Sequence, residues 1–62
     1  MTEQNPNPGD IVVLRATEDA PRHLFEVQKV HDDLITGVAL TGPLRGCYGE
    51  PDSELIEAIL RF

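Results

Sequence analysis

Residues 51–62 read PDSELIEAILRF, and the fold turns on how this stretch is taken. As a helix it is well formed. Asp52 or Ser53 serves as N-cap, Glu54 and Glu57 suit the early turns, and Leu55, Ile56, Ile59 and Leu60 fall on one face. As a strand, Ile56, Ala58 and Leu60 alternate inward, leaving Leu55, Ile59 and Phe62 partly exposed. Propensity favours the helix. Topology favours the strand, because the upstream sequence supplies four short strands whose open edge a fifth would close. The expected order is a short turn at residues 51–54 followed by a last strand. The alternative is a four-stranded antiparallel sheet with a C-terminal helix.

Working back from that segment, residues 44–49, LRGCYG, lie between Gly-rich turns and read as a short fourth strand. Residues 34–40, LITGVAL, form the third. Gly37 in its interior marks a bend or a close backbone approach. Asp32-Asp33 suits a tight hairpin connection. Residues 24–31, LFEVQKVH, form the second strand, with Phe25 and Val27 on one face and Val30 out of phase. A bulge near Gln28 brings all three inward. Residues 17–23 are polar, carry Pro21 and form a loop. Residues 11–16 open with Ile11-Val12-Val13-Leu14, a β-rich run that fits a short buried strand. Residues 1–8, MTEQNPNP, read as a flexible lead-in to a single domain at 9–62, because two prolines lack amide donors and the rest is polar.

The chain has 62 residues, 5 Lys/Arg against 11 Asp/Glu, a net charge of −6 and a hydrophobic fraction of 40%. That fraction supplies a core and excludes a wholly disordered chain. A single cysteine excludes an internal disulfide framework and a multi-thiolate zinc site. The longest apolar run is four residues, far short of the roughly 20 that span a bilayer, and the polar N-terminus carries no secretory signal. A cytoplasmic location follows as the expectation, with no membrane partner. The acidic balance disfavours bulk attraction to nucleic acid.

Taken in order, GDIVVLRA, FEVQKV, LITGVAL and SELIEAI resemble the small five-stranded β-barrels of the Src-homology-3-like (SH3-like) and Tudor-like superfamily. The resemblance covers residues 9–62 and implies a mainly β fold and an interaction role. The chain departs from the methyl-lysine and proline-peptide binders of that superfamily, which need several aromatics in a cage or groove, since it has only Phe25, Tyr48 and Phe62. The stretch TGPLRGCYGEPD, residues 41–52, also resembles an uncharacterised small bacterial protein family, which implies no function.

Among side chains that carry chemistry, His31-Asp32-Asp33 and His23 are metal-ligand types, but neighbours on a strand point to opposite faces and converge poorly. They read as a solvated hairpin tip, and no metal or cofactor is expected. Cys47 lacks an adjacent base and reads as a buried or half-buried packing residue rather than a nucleophile. No catalytic set converges, so the protein is not expected to be an enzyme. The segment Gly42-Pro43-Leu44-Arg45-Gly46 lacks the Lys-Ser/Thr pair of a phosphate loop and reads as a turn. Leu44, Arg45 and Tyr48 are residue types suited to an interface, and Glu50, Asp52 and Glu54 make an acidic rim beside them. Glu57 extends that cluster, with Arg45 and Arg61 as candidate ion-pair partners. The expected function is a non-catalytic module that binds another protein or its own copy, as a monomer or weak homodimer. The alternative is a nucleic-acid-binding barrel using Arg15, Arg22, Lys29 and Arg45.

Overall fold

The computed structural model describes residues 5–60. The β-rich runs of the sequence join one antiparallel sheet: β1 (Ile11–Leu14), β2 (His23–Val30), β3 (Ile35–Ala39), β4 (Tyr48–Gly49) and β5 (Ile56–Leu60). A 3-10 turn, Ser53–Leu55, precedes β5. The strand order is β4-β3-β2-β1-β5, so the last strand returns to pair with the first. The sheet is not closed: β4 and β5 form its two edges. Residues 51–62 therefore take the turn-and-strand form as far as Leu60, while Arg61 and Phe62 lie outside the described residues. Among the described residues no helix is long and apolar enough to cross a membrane.

The core is Val12, Leu14, Phe25, Val27, Ile35 and Ala39, with Leu55, Ile56 and Ile59 packed against it. Alternation explains most of this set, because i and i+2 share a face. Two bulges explain the rest. One falls between Val27 and Lys29 in the β2–β3 pairing, at Gln28 as the phase of the apolar residues requires. It sets Val30 opposite the buried Ile35, yet Val30, the last residue of β2, is 39% exposed. The bulge thus returns Val30 to the inward face, as its phase requires, without burying it.

The second bulge lies between Val13 and Leu14 in the β1–β5 pairing, where Val13 faces Ala58 and Leu14 faces Ile56. Glu57 is the extra residue. The bulge turns Ile56 and Ile59, three apart, to the core and leaves Ala58 and Leu60 outside. The inward alternation of Ile56, Ala58 and Leu60 is corrected accordingly: only Ile56 faces in.

The hairpin at Asp32-Asp33 closes through the His31 amide, which donates to the Leu34 carbonyl at 2.9 Å. Within residues 5–8 of the expected lead-in, Pro6 is buried and the Asn7 amide donates to Asp10 Oδ2 at 2.8 Å. The Gly9 amide donates to the Val27 carbonyl at 2.8 Å, which ties this segment to β2. Residues 1–4 lie outside the described residues.

One ion pair joins the β1–β2 loop to the β5 edge. Arg22 Nε donates to Glu57 Oε1 at 2.7 Å and its Nη2 to Oε2 at 3.3 Å. The two side chains are 66% and 34% exposed, so water and salt screen the pair. Arg22→Ala should cost less than about 1 kcal/mol, and the difference should vanish in roughly 1 M NaCl. Paired urea melts of both proteins at low and high salt check this.

Candidate functional site

The β1–β2 connection and the β3–β4 connection come together at one end of the sheet, because β1 and β2 are antiparallel neighbours and the start of β2 pairs with the end of β3. The first is folded back on itself: the Thr17 amide donates to the Ala20 carbonyl at 2.8 Å and the Asp19 amide to Thr17 Oγ1 at 3.2 Å. The second is a tight turn. The Arg45 amide donates to the Gly42 carbonyl at 3.1 Å and the Cys47 amide to the Leu44 carbonyl at 2.9 Å. Gly42 and Gly46 hold φ of 82° and 85°, a region that costs other residues strain and glycine none. This is why GPLRG forms a turn and the fourth strand shrinks from the expected 44–49 to Tyr48–Gly49.

Between these connections lies a cleft of about 340 Å³. Leu14, Phe25 and Ala39 form its apolar floor, and Leu44, Tyr48 and Leu55 its walls. Tyr48 is 61% and Leu44 46% exposed, large apolar surfaces left in water. The Tyr48 hydroxyl donates to Glu50 Oε2 at 3.1 Å, which ties its ring to the cleft rim. Asp19, Glu50, Arg15 and His23 set the polar margin. The His23 Nδ1 lies 2.8 Å from the Pro21 carbonyl, so Nδ1 carries the proton and Nε2 is the acceptor when the ring is neutral.

Of the sequence-predicted set, Leu44, Tyr48 and Glu50 meet at this cleft. Arg45 lies on the adjoining turn but does not line it. Asp52 is spent on a backbone bridge to Leu34, and Glu54 belongs to the 3-10 turn; neither lines the cleft. Glu57 pairs with Arg22, not with Arg45, and Arg61 lies outside the described residues. Cys47 is exposed, which corrects its expected packing role: its carbonyl accepts from the Ala39 amide at 3.1 Å, and the residue lines the cleft. Its thiol makes no hydrogen bond to a described base, and no group of three or more His, Cys, Asp or Glu among the described residues could hold a metal ion. Among the described residues the basic side chains are dispersed, with Arg15 at the cleft, Arg22 in its ion pair, Lys29 on β2 and Arg45 on the turn.

Sequence reasoning missed Arg15, Asp19, His23 and Leu55 as cleft residues. They come from segments far apart in the chain, and no local spacing announces that the loop after β1 folds against the turn before β4. No family model, no curated protein and no solved structure matches this chain.

Proposed function

We propose that the protein is a non-catalytic interaction module, a small SH3-like or Tudor-like barrel, whose cleft takes an apolar side chain or short extended segment of another protein. The cleft at Tyr48 carries this reading: an apolar floor, two large exposed anchors and a charged margin are the anatomy of a small recognition site. The all-antiparallel order β4-β3-β2-β1-β5, with a 3-10 turn before the last strand, supports the barrel family. A pocket of this size admits one or two side chains, so affinity in the micromolar range is expected.

Selection of random peptides on the wild-type protein tests it. Enriched sequences should carry a bulky apolar residue and lose about tenfold in affinity on Tyr48→Ala, a truncation at an exposed anchor. Tyr48 is mostly in water, so the variant should melt within about 0.5 kcal/mol of wild type. No enrichment, or enriched peptides indifferent to Tyr48→Ala, would count against the cleft as the binding site.

A further inference from the structure

A run such as Ile11-Val12-Val13-Leu14 has no polar position, which suits a strand covered on both faces. Only one face of β1 is covered. Val12 and Leu14 turn to the core, while Ile11 and Val13 turn outward and are half-buried. The register extends this outer surface sideways. Leu60, Ile11, Glu26, Val38 and Tyr48 form one cross-strand row, and Ala58, Val13 and Leu24 form the next. An antiparallel sheet with one face in water alternates polar residues outward. In these two rows seven of the eight positions are apolar or aromatic and the eighth is Glu26, while the next outward pair, Lys29 and Thr36, is polar.

Glu26 sits between Ile11 and Val38, its partners on the neighbouring strands, and its carboxylate makes no hydrogen bond or ion pair with a described residue. Its charge is in keeping with a chain of net charge −6. The surface across β2, β1 and β5 is roughly 14 Å wide and about 13 Å long, a footprint near 200 Å². A stable dimer needs about 800 Å² from each partner, so a second copy carrying the same charge does not suit it. One helix does: two to three turns are about 11–16 Å long and the cylinder about 10 Å across.

The geometry points to the outer face of β2, β1 and β5 as the docking surface for an amphipathic helix of a partner protein, its apolar stripe on Ile11, Val13, Leu24 and Leu60 and a Lys or Arg beside that stripe paired with Glu26. The surface meets the cleft only at Tyr48, the β4 partner of Val38; Ile11, Val13, Leu24 and Leu60 do not line the cleft. Glu26 supplies the selectivity, because an acidic helix would bring like charges together on a partly desolvated face.

The probe is a synthetic 14-residue amphipathic helix of Leu and Lys, titrated into the 15N-labelled full chain, with a Leu/Glu peptide of equal length beside it. The Leu/Lys peptide should shift the amides of Ile11, Val13, Leu24 and Ala58, and the Leu/Glu peptide should shift none. Glu26→Lys should weaken the Leu/Lys peptide about tenfold, the effect of breaking one close charge pair at an interface. Glu18→Lys changes the net charge equally from the far loop and should weaken it less than about twofold. Both are exposed positions, and a dispersed amide spectrum verifies that each variant is folded. Four results each overturn the proposal: no shift by the Leu/Lys peptide, shifts confined to the cleft around Leu44 and Tyr48, equal weakening by the two variants, or outer-face shifts on dilution of the peptide-free protein, which would make the occupant a second copy.

Discussion

Gly37→Ala should leave the protein largely unfolded at room temperature. A Cβ built on Gly37 would overlap the backbone carbonyl oxygen of Glu26 and lie 2.9 Å from Phe25 Cε2. The phenyl ring can turn a little, but the carbonyl belongs to β2, the strand paired directly with β3. Relief requires the two strands to separate where Val27 faces Gly37, which also opens the core around Val27 and Phe25. Overpacking of this kind costs about 3 kcal/mol or more, and a domain of this length has roughly 3–5 kcal/mol in total. Gly49→Ala is the control. Its Cβ would meet Phe25 Cε1 at 3.7 Å and Pro51 Cδ at 3.9 Å, ordinary contact at an unstrained backbone. That change should be neutral or should gain a few tenths of a kcal/mol, about what reduced unfolded-chain freedom supplies. Thermal melts of the two variants separate the outcomes, and a Gly37→Ala protein melting within a few degrees of wild type would sink the close-approach account.

The same glycine shows which features of the fold are legible in the chain itself. A glycine inside LITGVAL signals a close backbone approach, and the Gln28 bulge follows from Phe25, Val27 and Val30 being out of phase; both are local features of the chain. The strand order is less accessible, since it depends on pairing residues more than 40 positions apart, as Ile11 does with Leu60. The C-terminal stretch is ambiguous for a definite reason. A bulge at Glu57 spaces Ile56 and Ile59 three apart on one face, which is the spacing of a helix. A bulged strand and a helical stripe leave the same apolar pattern, and only the partner strand decides between them. For the candidate site, the apolar and aromatic types at Leu44 and Tyr48 are legible as interface residues. The acidic neighbours at Asp52 and Glu54 are not separable from Glu50 by composition; pairing of Pro51 and Asp52 with Ile35 and Leu34 carries them along β3, away from the cleft. Burial of Cys47 follows from its residue type alone; the fold instead leaves it exposed, lining the cleft.

A chain ending at Glu54 should show no cooperative unfolding and no dispersed amide spectrum. It loses Leu55, Ile56 and Ile59, which close one side of the core against Val12 and Leu14. It also loses every ladder bond between β1 and β5, together with the 2.8 Å bond from the Arg15 amide to the Leu55 carbonyl. Full burial of a Leu or Ile side chain contributes about 1.5–3 kcal/mol, so three half-buried ones contribute roughly 3 kcal/mol before any ladder bond is considered. Nearly all the stability of so short a chain is then gone. Truncation alone does not say which face matters, so two substitutions in the full chain complete the test. Ile59→Ser places a hydroxyl against the core and should destabilise by about 2 kcal/mol or more. Leu60→Ser, at a side chain 36% exposed on the opposite face, should cost well under about 1 kcal/mol. The bulge at Glu57 is what orders the two in this way: a strand running in strict alternation from Ile56 would turn Leu60 inward and Ile59 out. Urea midpoints in the reverse order would therefore refute the bulged register, and with it the assignment of Ile11, Val13, Ala58 and Leu60 to an outer face.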